Sequence, residues 1–514
     1  MRRSKLLLCF LLCACMAAAQ RRPSNDWLTF GRDVQRTGWD TAEDSLSPST
    51  VKGLKLEWKI KLDNEPLELN SLTPPVVVEK AITPHGFKDL IIVGGSSDNL
   101  YAIDADTGKV FWSRHFTAST PAPKRSHWLC PNALETTPVV DKKSRTVYVI
   151  SRDGNVRALN YINGEDRFPP TPFVPPYAKD WSLSLVDGVL YTATSQHCSG
   201  VDNGVWAMNL EDPSRPVKHW KAVGGIWGRG GVAFGLDGRI FAELGDGPFD
   251  VETNKFSDAV VGLSPKTLDL ADYYVPENQK WIDKKDLDMG NMTPAVFRYK
   301  QWELVAASGK EGVIYLLDAK SLGGKDHRTP LYRSPLLTNQ DVDFAGRGFW
   351  GAFATWEDVN GVRWLYAPAN GPAASGAPAF PLKHGHAPNG SVMAFKVEEK
   401  DGKPTLTPAW TSVDMAVPDP PIVANGVVYA VSTGENTRQV PSSGDGLLTS
   451  EQRASTPTGN AILYALDAQT GETLYSSGKT MPAFTHFSGL ALSSGRVYVV
   501  TYDSTLYAFS LGQQ

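Results

Sequence analysis

Tyr101-Ala-Ile-Asp-Ala-Asp-Thr-Gly-Lys-Val-Phe-Trp112 decides the fold. An alternating strand with Tyr101 and Ile103 on one side runs into a tight turn at Asp106-Thr107-Gly108. Val110 and Trp112 stand two apart on the returning strand. Period-two alternation interrupted by Asp, Thr and Gly predicts a hairpin, because those residues close turns that β-branched residues avoid.

The pattern recurs along the chain. Val156-Arg-Ala-Leu-Asn160, Val205-Trp-Ala-Met-Asn209 and the weaker Val260-Val-Gly-Leu-Ser264 follow it. Ile314-Tyr-Leu-Leu-Asp318, Val392-Met-Ala-Phe-Lys396, Leu463-Tyr-Ala-Leu-Asp467 and Leu506-Tyr-Ala-Phe-Ser510 complete the set. Short apolar strands such as Leu90–Val93, Val147–Ile150 and Val497–Val500 precede several copies. A four-stranded propeller blade takes about 40–50 residues, and the wider gaps leave room for insertions. One blade cannot bury both its faces, so such units stack around an axis. Eight copies predict an all-β, eight-bladed propeller over residues 20–514. The competing arrangement is a sandwich of unrelated hairpins; turn residues recurring at one offset argue against it.

The Ala-x-Asp-x-x-Thr-Gly-x-x-x-Trp signature resembles that of the quinoprotein-type propellers. That family includes alcohol dehydrogenases dependent on pyrroloquinoline quinone (PQQ), and also the non-catalytic propeller lipoprotein of the outer-membrane barrel-assembly machinery. The resemblance extends over nearly the whole chain after its leader, and it specifies fold more closely than function. Trp27-Leu-Thr-Phe-Gly-Arg-Asp33 and Arg36-Thr37-Gly38 resemble the family's leading segment. The strand Leu54 to Leu62, around Trp58, is expected to pair with the last blade and close the ring.

Residues 1–19 read as a signal peptide. Arg2, Arg3 and Lys5 precede an apolar run from Leu6 to Met16, and Ala17-Ala18-Ala19 offers a cleavage site. Leu12-Cys-Ala-Cys15 is an imperfect lipobox, which leaves a lipid anchor on Cys15 as an alternative. No other apolar run is long enough for a membrane helix. The expected location is periplasmic or secreted. Three of the five Cys lie in the leader; Cys130 and Cys198 remain, either as a disulfide or as two buried thiols. A formal net charge of −4 with no basic block argues against a nucleic-acid partner. No Cys-x-x-Cys-His is present, so no covalently held haem is expected.

The resemblance implies a site between Gly224 and Leu317. Gly224-Gly-Ile-Trp227-Gly is similar to the segment whose indole lies flat under the PQQ ring, a role suited to a wide, rigid π-face. Glu243-Leu-Gly-Asp246 occupies the place of a Gly-Asn that supplies a calcium ligand, and Asp is an equally hard donor. Asp286-Leu-Asp288-Met-Gly-Asn291 resembles the Asp-x-Asp-x-x-Asn segment. Asp286 would then be the catalytic base for the substrate hydroxyl, and Asp288 a metal ligand or orienting group. Ala307-Ser-Gly-Lys310 resembles the segment whose cation bonds the quinone oxygens, making Lys310 both cofactor-binding and catalytic. Read without the resemblance, each is also an ordinary turn, loop or blade residue. Two family features are missing: a pair of adjacent cysteines, and a Glu calcium ligand in the region now held by Ser195-Gln-His-Cys-Ser199.

Two Gly/Pro/Ser-rich stretches, Pro368 to Gly390 and Thr433 to Gly459, read as insertions, either covering a site or passive decoration. Gly228-Arg-Gly230 lacks the third Gly and the helix of a dinucleotide loop. Asp104-x-Asp106-x-Gly108 lacks the rest of a calcium loop, and His384-Gly-His386 has no further ligands. Two functions remain. One is an exported oxidoreductase using PQQ and Ca²⁺ on an alcohol, polyol or sugar, passing electrons to a separate acceptor such as a cytochrome c. The alternative is a non-catalytic propeller that binds protein or glycan.

Overall fold

The computed structural model describes residues 24–512, apart from 125, 442–445 and 456–458; the signal peptide and Cys15 lie outside the described residues. Eight antiparallel sheets follow one another along the chain. Their inner strands are Val76–Thr83, Val139–Asp141, Ser184–Val186, Ala233–Phe234, Ala295–Tyr299, Ala354–Glu357, Ile422–Ala424 and Ala491–Ser493. We number the blades 1 to 8 in that order. Blade 8 takes its outer strand, Lys55–Lys61, from the other end of the chain, paired antiparallel to Thr505–Ser510. The eight-bladed ring and its closure by the strand around Trp58 are therefore as expected.

The signature has a visible cause. Asp104 accepts a hydrogen bond from the Asp106 N–H, and the Gly108 N–H returns to the Asp104 carbonyl at 2.9 Å. Gly108 sits at φ +64°, and a Cβ there would lie 2.6 Å from the Trp58 ring; both the backbone and the neighbour require glycine. The Trp58 indole N–H bonds the Ala105 carbonyl at 2.9 Å. Trp112 of blade 1 docks likewise on the Tyr161 carbonyl of blade 2, and Trp410 of blade 6 on Ala468 of blade 7. Each tryptophan thus joins one blade to the next, and Trp58 joins blade 8 to blade 1. Strands are apolar on both faces because both face neighbouring blades: Tyr101 and Ile103 belong to one core cluster, Leu100 and Ala102 to another.

The leading segment threads the hub. Trp27 exchanges two backbone bonds with Val77 of blade 1, and the Leu28 carbonyl accepts from Val140 of blade 2. The Thr29 hydroxyl donates to Leu183, beside blade 3. The carbonyls of Val34, Gln35, Thr37 and Gly38 accept from Phe234, Val296, Thr355 and Val423, on blades 4 to 7. Arg36, 1% exposed, donates to Val232 O, Thr29 Oγ1, Phe30 O and Ser184 Oγ at 2.6–3.0 Å. Phe30 packs beneath Gly230 and Gly489, next to the floor of the site.

Cys130 and Cys198 form a disulfide, with Cα atoms 5.4 Å apart. Of the two readings open from sequence, the paired one holds.

Candidate functional site

Four loops close on one another at the hub by backbone contact. Trp227 N–H and Gly228 N–H both donate to the Gly290 carbonyl, and Gly245 N–H donates to Gly225 O. A Cβ on Gly290 would lie 2.3 Å from Gly225 O, and one on Gly309 would lie 2.5 Å from Asp288 O. Only glycines let these loops stack so closely. Their neighbours in sequence, Trp227, Asp246, Asp286, Asp288 and Lys310, consequently line a single cavity of about 300 Å³.

Lys310 is 4% exposed. Its Nζ lies 2.7 Å from Asp286 Oδ1 and 3.2 Å from Asp288 Oδ2, 5.2 Å from the Trp227 ring and 5.6 Å from the Trp350 ring. Trp227 and Trp350 meet edge to face with centroids 5.4 Å apart. Asp286 caps the short helix Gln279–Lys285 in the left-handed region, φ +53°, which turns the chain back into the hub. Asn291 does not line the cavity; its Nδ2 donates to Phe349 O at 2.6 Å and holds the loop.

Carboxylates outnumber cations on this side. Ligand atoms of Asp246, Asp286 and Asp288 lie within 4.8 Å of one another. Asp246 Oδ1 and Asp288 Oδ1 are buried without a hydrogen-bond partner. Burial, then the charges of Asp288 and Asp286, push the Asp246 carboxyl far up. Asp288 is also raised, burial outweighing Lys310. Burial lowers the Lys310 ammonium, but Asp288 and Asp286 together outweigh it and the net shift is upward. Such crowding favours a shared proton or a bound cation.

Sequence reasoning missed the rest of the cavity. Trp128, Trp181, Trp350, Phe344 and Phe487 supply aromatic walls, and Lys179, Arg229 and Arg453 supply positive charge. Lys179 and Arg229 both face the Trp181 ring, at 5.3 and 5.5 Å. Arg453 pairs with Glu435 at 3.1 Å and lies 4.4 Å over the Trp128 ring. His486 Nδ1 reaches the other Glu435 oxygen at 2.8 Å, and burial lowers the His486 pKa. Arg229 belongs to the Gly228-Arg-Gly230 fragment, discounted above as a dinucleotide loop, and lines the cavity. Gln196, in the segment lacking the family's Glu, also lines the cavity.

The disulfide joins Cys130 to Cys198 and so ties down the adjoining wall residues Trp128 and Leu129. Of the two insertions, Thr433 to Gly459 contributes Glu435, Thr437, Gln439, Leu447 and Arg453 to the cavity; none of the residues lining it comes from Pro368 to Gly390. His384 bonds the Thr470 carbonyl, and Asp104 pairs with Lys88 at 2.9 Å; neither lines the site.

A family model described as outer membrane protein assembly factor BamB matches residues 35–216. No curated protein sequence matches the chain. Among solved structures, the quinohemoprotein alcohol dehydrogenase from Comamonas testosteroni is 15% identical, with TM-score 0.60, covering 97% of this chain and 82% of that one. Quinohemoprotein alcohol dehydrogenase ADHIIG from Pseudomonas putida HK5 is 14% identical, with TM-score 0.61, covering 95% and 81%. A europium-containing methanol dehydrogenase is 13% identical, with TM-score 0.58, covering 94% and 98%. At these identities the likeness is one of fold. No helix among the described residues is long and apolar enough to cross a membrane. With eight blades in sequence, tryptophans docked between them and these structural neighbours, the chain is an eight-bladed β-propeller that shares its fold with the quinohemoprotein alcohol dehydrogenases.

Proposed function

We propose that the chain is an exported, PQQ-dependent oxidoreductase of an alcohol, polyol or sugar, working in the periplasm or outside the cell. The observation that carries this reading is the meeting of Trp227, Asp246, Asp286, Asp288 and Lys310 in one cavity. The residues fit a planar, anionic quinone with a hard cation beside it. Trp227 offers an indole face, and Lys179 and Arg229 offer charge for carboxylates. The unpartnered oxygens of Asp246 and Asp288 suit calcium, which takes oxygen donors only. The cavity volume lies at the lower end of about 300–1,000 Å³ for ligand pockets.

The bound quinone would supply the two-electron acceptor for the substrate carbinol. Asp286 would accept the hydroxyl proton, its carboxylate positioned by the Lys310 ammonium at 2.7 Å. Lys310 would also stabilise negative charge developing on an oxygen placed beside it, a strong effect in a buried, pre-formed site. Trp227 and Trp350 would exclude water from the reacting face. Lacking a haem-attachment motif, the chain would pass electrons to a separate acceptor such as a cytochrome c.

A second reading is favoured by the BamB-type family match and by the absent cysteine pair: a scaffold that binds protein or glycan. Dye reduction separates the two. Protein supplied with PQQ and Ca²⁺ is expected to reduce an artificial electron acceptor with a panel of alcohols and sugars, and Asp286→Ala to abolish it. No reduction with any of them, from protein that retains its fold, overturns the oxidoreductase.

A further inference from the structure

The repeats let the chain serve as its own control. One residue before the third strand of blade 1 and two before that of blade 4 stands an Asp with positive φ, Asp98 at +62° and Asp258 at +44°. Both side chains are fully buried. In blade 1 the position has a cation: Arg152 Nε lies 2.8 Å from Asp98 Oδ2. In blade 4 it has none. Asp258 Oδ2 accepts from Gln279 Nε2 at 3.3 Å, while Oδ1 is buried with no hydrogen-bond partner.

The strand registers place Lys310 of blade 5 where blade 2 has Arg152, and other acids crowd Asp258. Ligand atoms of Asp246, Asp258 and Asp283 lie within 4.8 Å of one another, and among the described residues none of the three forms an ion pair. Lys310 is committed to Asp286 and Asp288. Asp246 Oδ1 is unpartnered as well. Burying Asp258 unpaired beside two further carboxylates is costly unless a positive charge joins them.

We propose that Asp246, Asp258 and Asp283 form a second cation site for a hard divalent ion of the calcium type, sharing Asp246 with the group around Asp288. Oxygen-only donors select such an ion over zinc or copper, and three carboxylates leave coordination positions for water. Asp246 links the two sites, so an ion at Asp258 fixes one ligand of the neighbouring ion. This site stands apart from the cofactor reading, since all three carboxylates are the chain's own and no quinone is required.

Equilibrium dialysis of the chelator-stripped full-length protein against radiolabelled calcium tests it. Two ions per chain are expected, falling to one in Asp258→Asn and to one in Asp283→Asn. Both substitutions keep the oxygens that accept from Gln279 and from the Gly247 N–H, and Asp283→Asn decides the matter should Asp258→Asn not fold. Asp288→Asn is also expected to leave one ion, now at the Asp258 site. A single ion that Asp258→Asn and Asp283→Asn remove and Asp288→Asn leaves would keep this site and sink the cation of the cofactor reading. No bound calcium, or a count that Asp258→Asn and Asp283→Asn leave unchanged, overturns the proposal.

Discussion

The two ends of the hub use buried charge in opposite ways. At one end Arg36 is fully enclosed, and its guanidinium gives hydrogen bonds to four acceptors. At the other end Asp246, Asp258 and Asp288 are crowded, each with an oxygen that nothing bonds. Folding alone explains the first, because a satisfied buried cation knits the leading segment to the blades. It does not explain the second, where Lys310 and Gln279 offset only part of the desolvation cost of the three carboxylates. Three such carboxylates gathered at one place are what the proposed cations would satisfy.

The contrast breaks if both ends respond alike to mutation. Arg36→Met should strand four buried acceptors and cost about 4 kcal/mol or more, read as a lower urea midpoint. Replacing Cys130 and Cys198 together with Ser opens a loop whose ends are 68 residues apart and should cost about 3 kcal/mol, read the same way. Trp227→Ala should leave stability nearly unchanged and weaken quinone binding by about 2 kcal/mol, roughly 30-fold in Kd.

At the acidic end the expected sign reverses. Without cations, Asp246→Asn should raise stability at neutral pH by about 1 kcal/mol, because it removes a carboxyl that must take up a proton to sit beside Asp286 and Asp288. The pH dependence follows from Asp258, pushed from 3.8 to about 9 by burial and by the charges of Asp288 and Asp283. The folded state holds this proton more tightly than the unfolded one, so stability falls as pH rises through that interval. Thermal melts of chelator-treated protein should drop between about pH 4 and pH 9, and calcium should flatten the drop. Melts that rise with pH over this range would contradict the crowding.

Much of the ring was legible because turn chemistry is local. Asp104, Gly108 and Trp112 announce a hairpin within a dozen residues, and Asp467 and Gly471 repeat it. Trp58 was legible for the same reason, as the aromatic of an alternating strand. The site was legible only through resemblance: Trp227, Asp246, Asp286 and Lys310 carry no local periodicity that points to a cavity. Lys179, Arg229, Trp350, Arg453 and His486 gave no sign, since they come from different parts of the ring and meet only when it closes. Asp258 was hidden by its own repeat, where it looks like the counterpart of Asp98 until Lys310, in the place of Arg152, is seen to pair with Asp286 and Asp288 instead.

Titration calorimetry of PQQ into calcium-loaded protein tests the central claim most directly, namely that the unsatisfied end of the hub is a ligand site. The account predicts one PQQ per chain, with binding weakened in Trp227→Ala and Lys310→Met and unchanged in Val359→Ala on the exposed surface. No heat of binding to the folded wild-type protein, or binding that both cavity substitutions leave untouched, would contradict it.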